Sequence, residues 1–139
     1  MTRAVTPSAI VADWSYGDGL RRAVELMERH RLLRPRRLAN AQLAGLNEVV
    51  RMASGLAEIA EFVSRQATRA GRAGRLDVQA FWDDLRQALE VVTNLASRRS
   101  GEEPASPGET EQLALLLARE FMQHLISHAY FIADVRSSG

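Results

Sequence analysis

The sequence predicts an all-α protein, a single-domain bundle of about five helices, and three observations carry that expectation. Apolar residues recur at three- and four-residue intervals through most of the chain, which is the spacing of one helix face. Apolar–polar alternation never persists, and the β-branched residues sit inside those stripes rather than beside two-residue turns. Breakers at Pro35, Ser54-Gly55, Gly71 and Gly74, and along 97–108, divide the stripes into segments of helical length. A chain of 139 residues matches one domain of common size, large enough to bury a core without metal or crosslinks.

Residues 1–17 mix Pro7, Ser8 and Gly17 with scattered apolar groups, and we expect an irregular arm pinned by Trp14 and Tyr16. The bundle domain should cover 18–136. Leu20, Val24 and Met27 mark its first helix, from about Gly19 to Arg34, stopped by Pro35. Leu43, Leu46, Val50 and Ala53 form the second stripe. Ser54 is placed to cap a third helix through Leu56, Ile59, Ala60, Val63 and Ala67, ending near Ala70. Asp77 opens the fourth, whose Val78, Phe81, Trp82, Leu85, Leu89 and Val92 make a wide apolar face running on to Ala96. Residues 97–108 read as a flexible exposed loop. Ser106, Pro107 and Glu109 then fit a capping box for a long last helix through Leu113, Leu117, Phe121, Leu125, Ala129 and Ala133.

With no cysteine in the chain, disulfides, thiolate zinc sites and thiol nucleophiles are excluded. The start of the chain lacks the apolar core of a signal peptide, and no stretch approaches eighteen apolar residues. The expected address is therefore the cytoplasm, with no membrane partner.

Chemistry finds little to hold. His124 and His128 lie four apart on one helical face, a spacing that presents two imidazoles to one metal, but no third ligand matches. Leu125 stands where the zincin motif needs a glutamate. Asp83 and Asp84 diverge by about 100° on a helix and are expected to be solvated. Gly71-Arg-Ala-Gly-Arg follows no strand and lacks the spacing of a phosphate-cradling loop. The serines have no histidine and acid in any known motif order. We expect no catalytic residue, no metal and no cofactor, and hence no enzyme.

All eighteen basic side chains are arginine, a usage that a GC-rich coding sequence accounts for most simply. Their distribution is uneven. Residues 20–75 hold twelve arginines against five acids, +7, and the remainder six against twelve, −6. Such a split suits an anionic partner or a head-to-tail match between copies. Arg65, Arg69 and Arg72 fall at i, i+4 and i+7, which sets three guanidinium groups on one face near a helix end, with Arg75 just beyond. Arginines at a helix C-terminus also complement its dipole, a purely structural role. A second group, Arg29, Arg31, Arg34, Arg36 and Arg37, surrounds the turn at Pro35. Together the groups form a candidate stripe for a nucleic-acid backbone, with sequence-tolerant, salt-dependent binding. Phe62, Phe81, Trp82 and Phe121 lie on core-facing stripes, so base stacking on aromatic platforms is not expected.

The run from Leu38 through Asn40, Gln42, Leu43 and Leu46 to Val50, followed by Ile59, Phe62, Val63, Arg65, Gln66 and Arg69, resembles the small helical subunits of type III CRISPR effector complexes. About thirty residues carry the likeness. Asn40-Ala41 and Ala44 depart from the threonine-serine and arginine that family members often place there. The resemblance implies an RNA-binding, non-catalytic subunit. It would contact the guide RNA and target strand through Arg34, Arg36, Arg37, Arg65, Arg69, Arg72 and Arg75, beside other copies of itself. The competing reading is a protein-interaction adaptor or homodimeric bundle. That reading predicts that the arginine row pairs with acids and that an exposed apolar patch carries function, and the wide apolar stripes with Trp82 and Phe121 would support it if they exceed what one core buries.

Overall fold

The structure, a computed structural model, describes residues 7–33, 40–101 and 107–138. It is a single all-α domain, with no strand among the described residues. Helix α1 (Pro7–Trp14) runs through a π-helical segment, Ser15–Gly19, into α2 (Leu20–Arg29), which ends in a 3₁₀ turn at Arg31–Leu33. Helices α3 (Asn40–Met52), α4 (Leu56–Arg72), α5 (Leu76–Gly101) and α6 (Pro107–Ser138) complete the bundle. Since α1 and α2 are two halves of one bent arm, the bundle has five helical rods.

The arm departs from the expected irregular segment. Pro7 opens α1, where its missing N–H costs nothing. The helix continues until Gly17 leaves helical geometry at φ −105°, ψ −105°. Trp14 is the anchor: it is buried, with its ring centroid 6.4 Å from that of Phe121. Gly19 makes this possible, because a Cβ there would fall 2.8 Å from two carbons of the Trp14 ring. Tyr16 touches the bundle only at its surface, through the ring of His124 on the last helix. It stays 77 % exposed.

Two boundaries also shift. Helix α2 stops before Arg34, because His30 turns out of helical geometry (φ −109°, ψ 22°) and its Nε2 lies 2.6 Å from Asp84. Helix α5 runs on to Gly101, through four residues of the expected loop that contain neither proline nor glycine. The remainder of that loop, 102–106, lies outside the described residues, and so does the Ser106 cap. Helix α6 begins at Pro107 as the sequence predicts.

Helix α4 ends in a Schellman turn: Arg75 N–H donates to Ala70 O at 2.9 Å and Gly74 N–H to Gly71 O at 3.1 Å. Gly74 takes φ 72° there, with no atom within 4 Å of a would-be Cβ. Gly74→Ala therefore isolates backbone strain. It should lower the unfolding free energy by about 1 kcal/mol, read as a lower urea midpoint at constant slope.

The core gathers Phe81, Trp82 and Leu85 of α5, Leu117, Phe121, Met122 and Leu125 of α6, and the stripes of α2, α3 and α4. Helix α6 packs against every other helix, and α4 lies along α5.

Candidate nucleic-acid interface

Helix α4 buries Ile59, Val63, Ala67 and Ala70. Arg65, Arg69 and Arg72 each follow one of the last three by two residues, a rotation of about 200°. Burying the small apolar stripe thus turns the three guanidinium groups to solvent, where all are exposed. Their seven-residue span places the outer pair about 10 Å apart along the axis. With Glu61, Ser64 and Thr68 they line a shallow groove of about 460 Å³.

One acid touches this row. Glu61 stands 4.0 Å from Arg65, both well exposed, a pair whose net contribution is close to nothing. Among the described residues no carboxylate pairs with Arg69, Arg72 or Arg75. Arg69 and Arg72 also occupy the last turn, where the helix dipole favours cations, and Arg75 follows the Schellman turn. The row therefore concentrates positive charge at one end of α4.

The second arginine group divides. Arg34, Arg36 and Arg37 lie outside the described residues. Arg29 is bonded to Asp84 at 3.1 Å, and Arg31 donates to Glu28 at 2.7 and 3.0 Å. Those two guanidinium groups stay exposed but are each engaged by a carboxylate of the chain, unlike Arg69 and Arg72. Arg21 is likewise held between Asp18 and Glu25.

Three polar clusters went unread in the sequence, and each joins the arm to another helix. Asp84, expected to be solvated, is only 25 % exposed and binds His30 and Arg29 of the arm. Desolvation pushes its carboxyl upward, but the hydrogen bonds from His30 and Arg29 outweigh it and leave the group below the usual aspartate value. Glu28 bonds Arg31 and His128, whose ring stacks on Phe131. The hydrogen bonds from Arg31 and then His128 lower the Glu28 carboxyl to about 2. The hydroxyl of Ser15, 1 % exposed, donates to Glu120 at 3.0 Å and lies 2.8 Å from His124 Nε2.

That last trio brings together a serine, a histidine and an acid that no motif order suggested. Acid and imidazole both bond the hydroxyl, whereas a catalytic triad has the acid orient the far side of the ring. His124 and His128 also face different partners, and among the described residues no three His, Asp or Glu side chains are grouped to hold a metal.

The depressed carboxyls set an acid dependence. A lowered folded-state pKa adds stability above the unfolded value that is lost as pH falls through the folded one. For Glu28 the window runs from about 4.5 down to about 2. Urea midpoints measured across that window should fall more steeply for the native chain than for Glu28→Gln.

No helix is long and apolar enough to cross a membrane among the described residues. Comparison of the chain with known families, with curated proteins and with solved structures gives no match.

Proposed function

We propose that this chain is a non-catalytic RNA-binding subunit of a ribonucleoprotein, akin to the small subunits of type III CRISPR effector complexes. Arg65, Arg69, Arg72 and Arg75 would contact the guide–target backbone. The supporting observation is the solvent-facing row on α4, whose one acidic neighbour, Glu61, sits at the limit of ion-pair distance. Guanidinium groups are forked donors suited to phosphate oxygens, and Arg69, Arg72 and Arg75, with no carboxylate partner among the described residues, keep those donors available. The excess of positive charge in residues 20–75 supports the same reading. In such an assembly, copies of the chain would meet basic segment to acidic segment, and weak single contacts would gain affinity by repetition.

The adaptor reading has less behind it. Trp82 and Phe121 are buried in the core and the α4 arginines are not consumed by acids, which leaves it the scattered exposed apolar side chains such as Leu32, Met52, Leu76 and Phe131.

Fluorescence anisotropy with short RNA across a salt series tests the proposal. Three phosphate contacts correspond to a log–log slope of about −2 to −3. The triple variant Arg65→Ala, Arg69→Ala, Arg72→Ala should lose that slope and weaken binding by more than tenfold, with an unchanged circular dichroism spectrum. Absence of binding by the native chain at low salt rejects the proposal.

A further inference from the structure

On its α5 side the arginine row adjoins a second groove. Leu56 and Ala60 of α4 and Leu89 of α5 provide an apolar floor, while Arg86, Glu90, Thr93 and Asn94 line it from α5. Its volume is about 420 Å³, and it is as shallow as the arginine groove. Ser64 lines both grooves, so a ligand lying on the arginines reaches the second groove across one side chain.

We infer that this groove receives an unpaired nucleobase, so that a single-stranded stretch of the target binds here more tightly than the guide–target duplex, whose backbone the same arginines still contact. The inference rests on the RNA-binding reading above. Charge decides the orientation of the strand. Phosphates belong on the Arg65, Arg69 and Arg72 side, where three guanidinium groups meet one carboxylate, Glu61, whereas on the α5 side Arg86 is balanced by Glu90 and an uncharged base fits better.

The rim also discriminates among bases. The Thr93 hydroxyl already donates to Leu89 O at 3.0 Å, which leaves its oxygen as an acceptor. The Glu90 carboxylate only accepts, and the Asn94 amide both donates and accepts. An acceptor-rich rim suits bases that carry an exocyclic amine, such as cytosine, over uracil. The apolar floor covers one face of the ring, and the half-exposed Arg86 guanidinium, 3.7 Å from Asp83, is the flat cation available to the other. A base held in a duplex cannot enter.

The test compares a labelled oligocytidylate, the same chain carrying an abasic site at alternate positions, and an RNA duplex of equal length, all against the full-length protein. The single strand should bind about tenfold more tightly than the other two. Ala60→Leu, which fills the floor, and Asn94→Ala, an exposed change that spares the fold, should each reduce that preference while leaving the salt-dependent binding in place. Equal affinity for all three ligands, with binding still lost in the triple arginine variant, overturns the base site and leaves the RNA-binding reading standing. No binding of any ligand overturns both.

Discussion

Trp82→Ala should lower the unfolding free energy by about 4 kcal/mol. The indole is fully buried on α5. Its centroid lies 6.2 Å from that of Phe62 on α4 and 5.0 Å from that of Phe81, both edge-on, a geometry that adds to the area buried. Truncation to alanine leaves a cavity where α4 meets α5, and close-packed helices collapse into such a space only in part. Trp82 carries an internal control. Its Nε1 has no hydrogen-bond partner among the described residues, and a buried unmet donor costs about 1–3 kcal/mol. Trp82→Phe removes that donor together with part of the ring, so the two changes offset each other. We expect a net loss below about 1.5 kcal/mol. Urea unfolding of both variants checks the pair, and equal losses would show that the indole N–H is satisfied.

Arg119→Met is expected to cost about 3 kcal/mol. From α6, the Arg119 guanidinium donates to Val50 O at 3.0 Å and Ala53 O at 2.7 Å, with Arg51 O at 3.4 Å. These carbonyls belong to the last turn of α3 and the residue beyond it, where a helix has no further N–H groups of its own. Methionine keeps much of the aliphatic stem but leaves those acceptors without a donor. Arg119→Lys should recover less than half of the loss, since an ammonium lacks the planar fork that reaches two carbonyls at once. RNA affinity should be unchanged in any Arg119 variant that remains folded, because this guanidinium is committed to the backbone of α3. The same titration that detects the α4 row therefore separates a structural arginine from a binding one.

The helical class, the stripes of α3 to α6 and the start of α6 at Pro107 were legible in the sequence, because each follows from local spacing and from residues that begin or end helices. The alignment of Arg65, Arg69 and Arg72 was legible for the same reason, as i, i+4 and i+7 lie on one face whatever the rest of the chain does. The partners of the arginines were not. Arg29 reaches Asp84 across 55 residues and Arg119 reaches Val50 across 69, and no local pattern encodes such pairings. Ser15 meets Glu120 and His124 across more than a hundred residues. The helical course of the N-terminal arm likewise depended on Trp14 finding Phe121 and on Gly19 clearing space for its ring. What the sequence alone determined is therefore which residues share a helix face. The tertiary structure alone decided which of those faces is covered, and which of the chemically identical arginines among the described residues cap a helix, close an ion pair or face solvent without an acidic partner. The physical reason is that helix periodicity is a property of neighbours along the chain, whereas burial and charge pairing belong to neighbours in space.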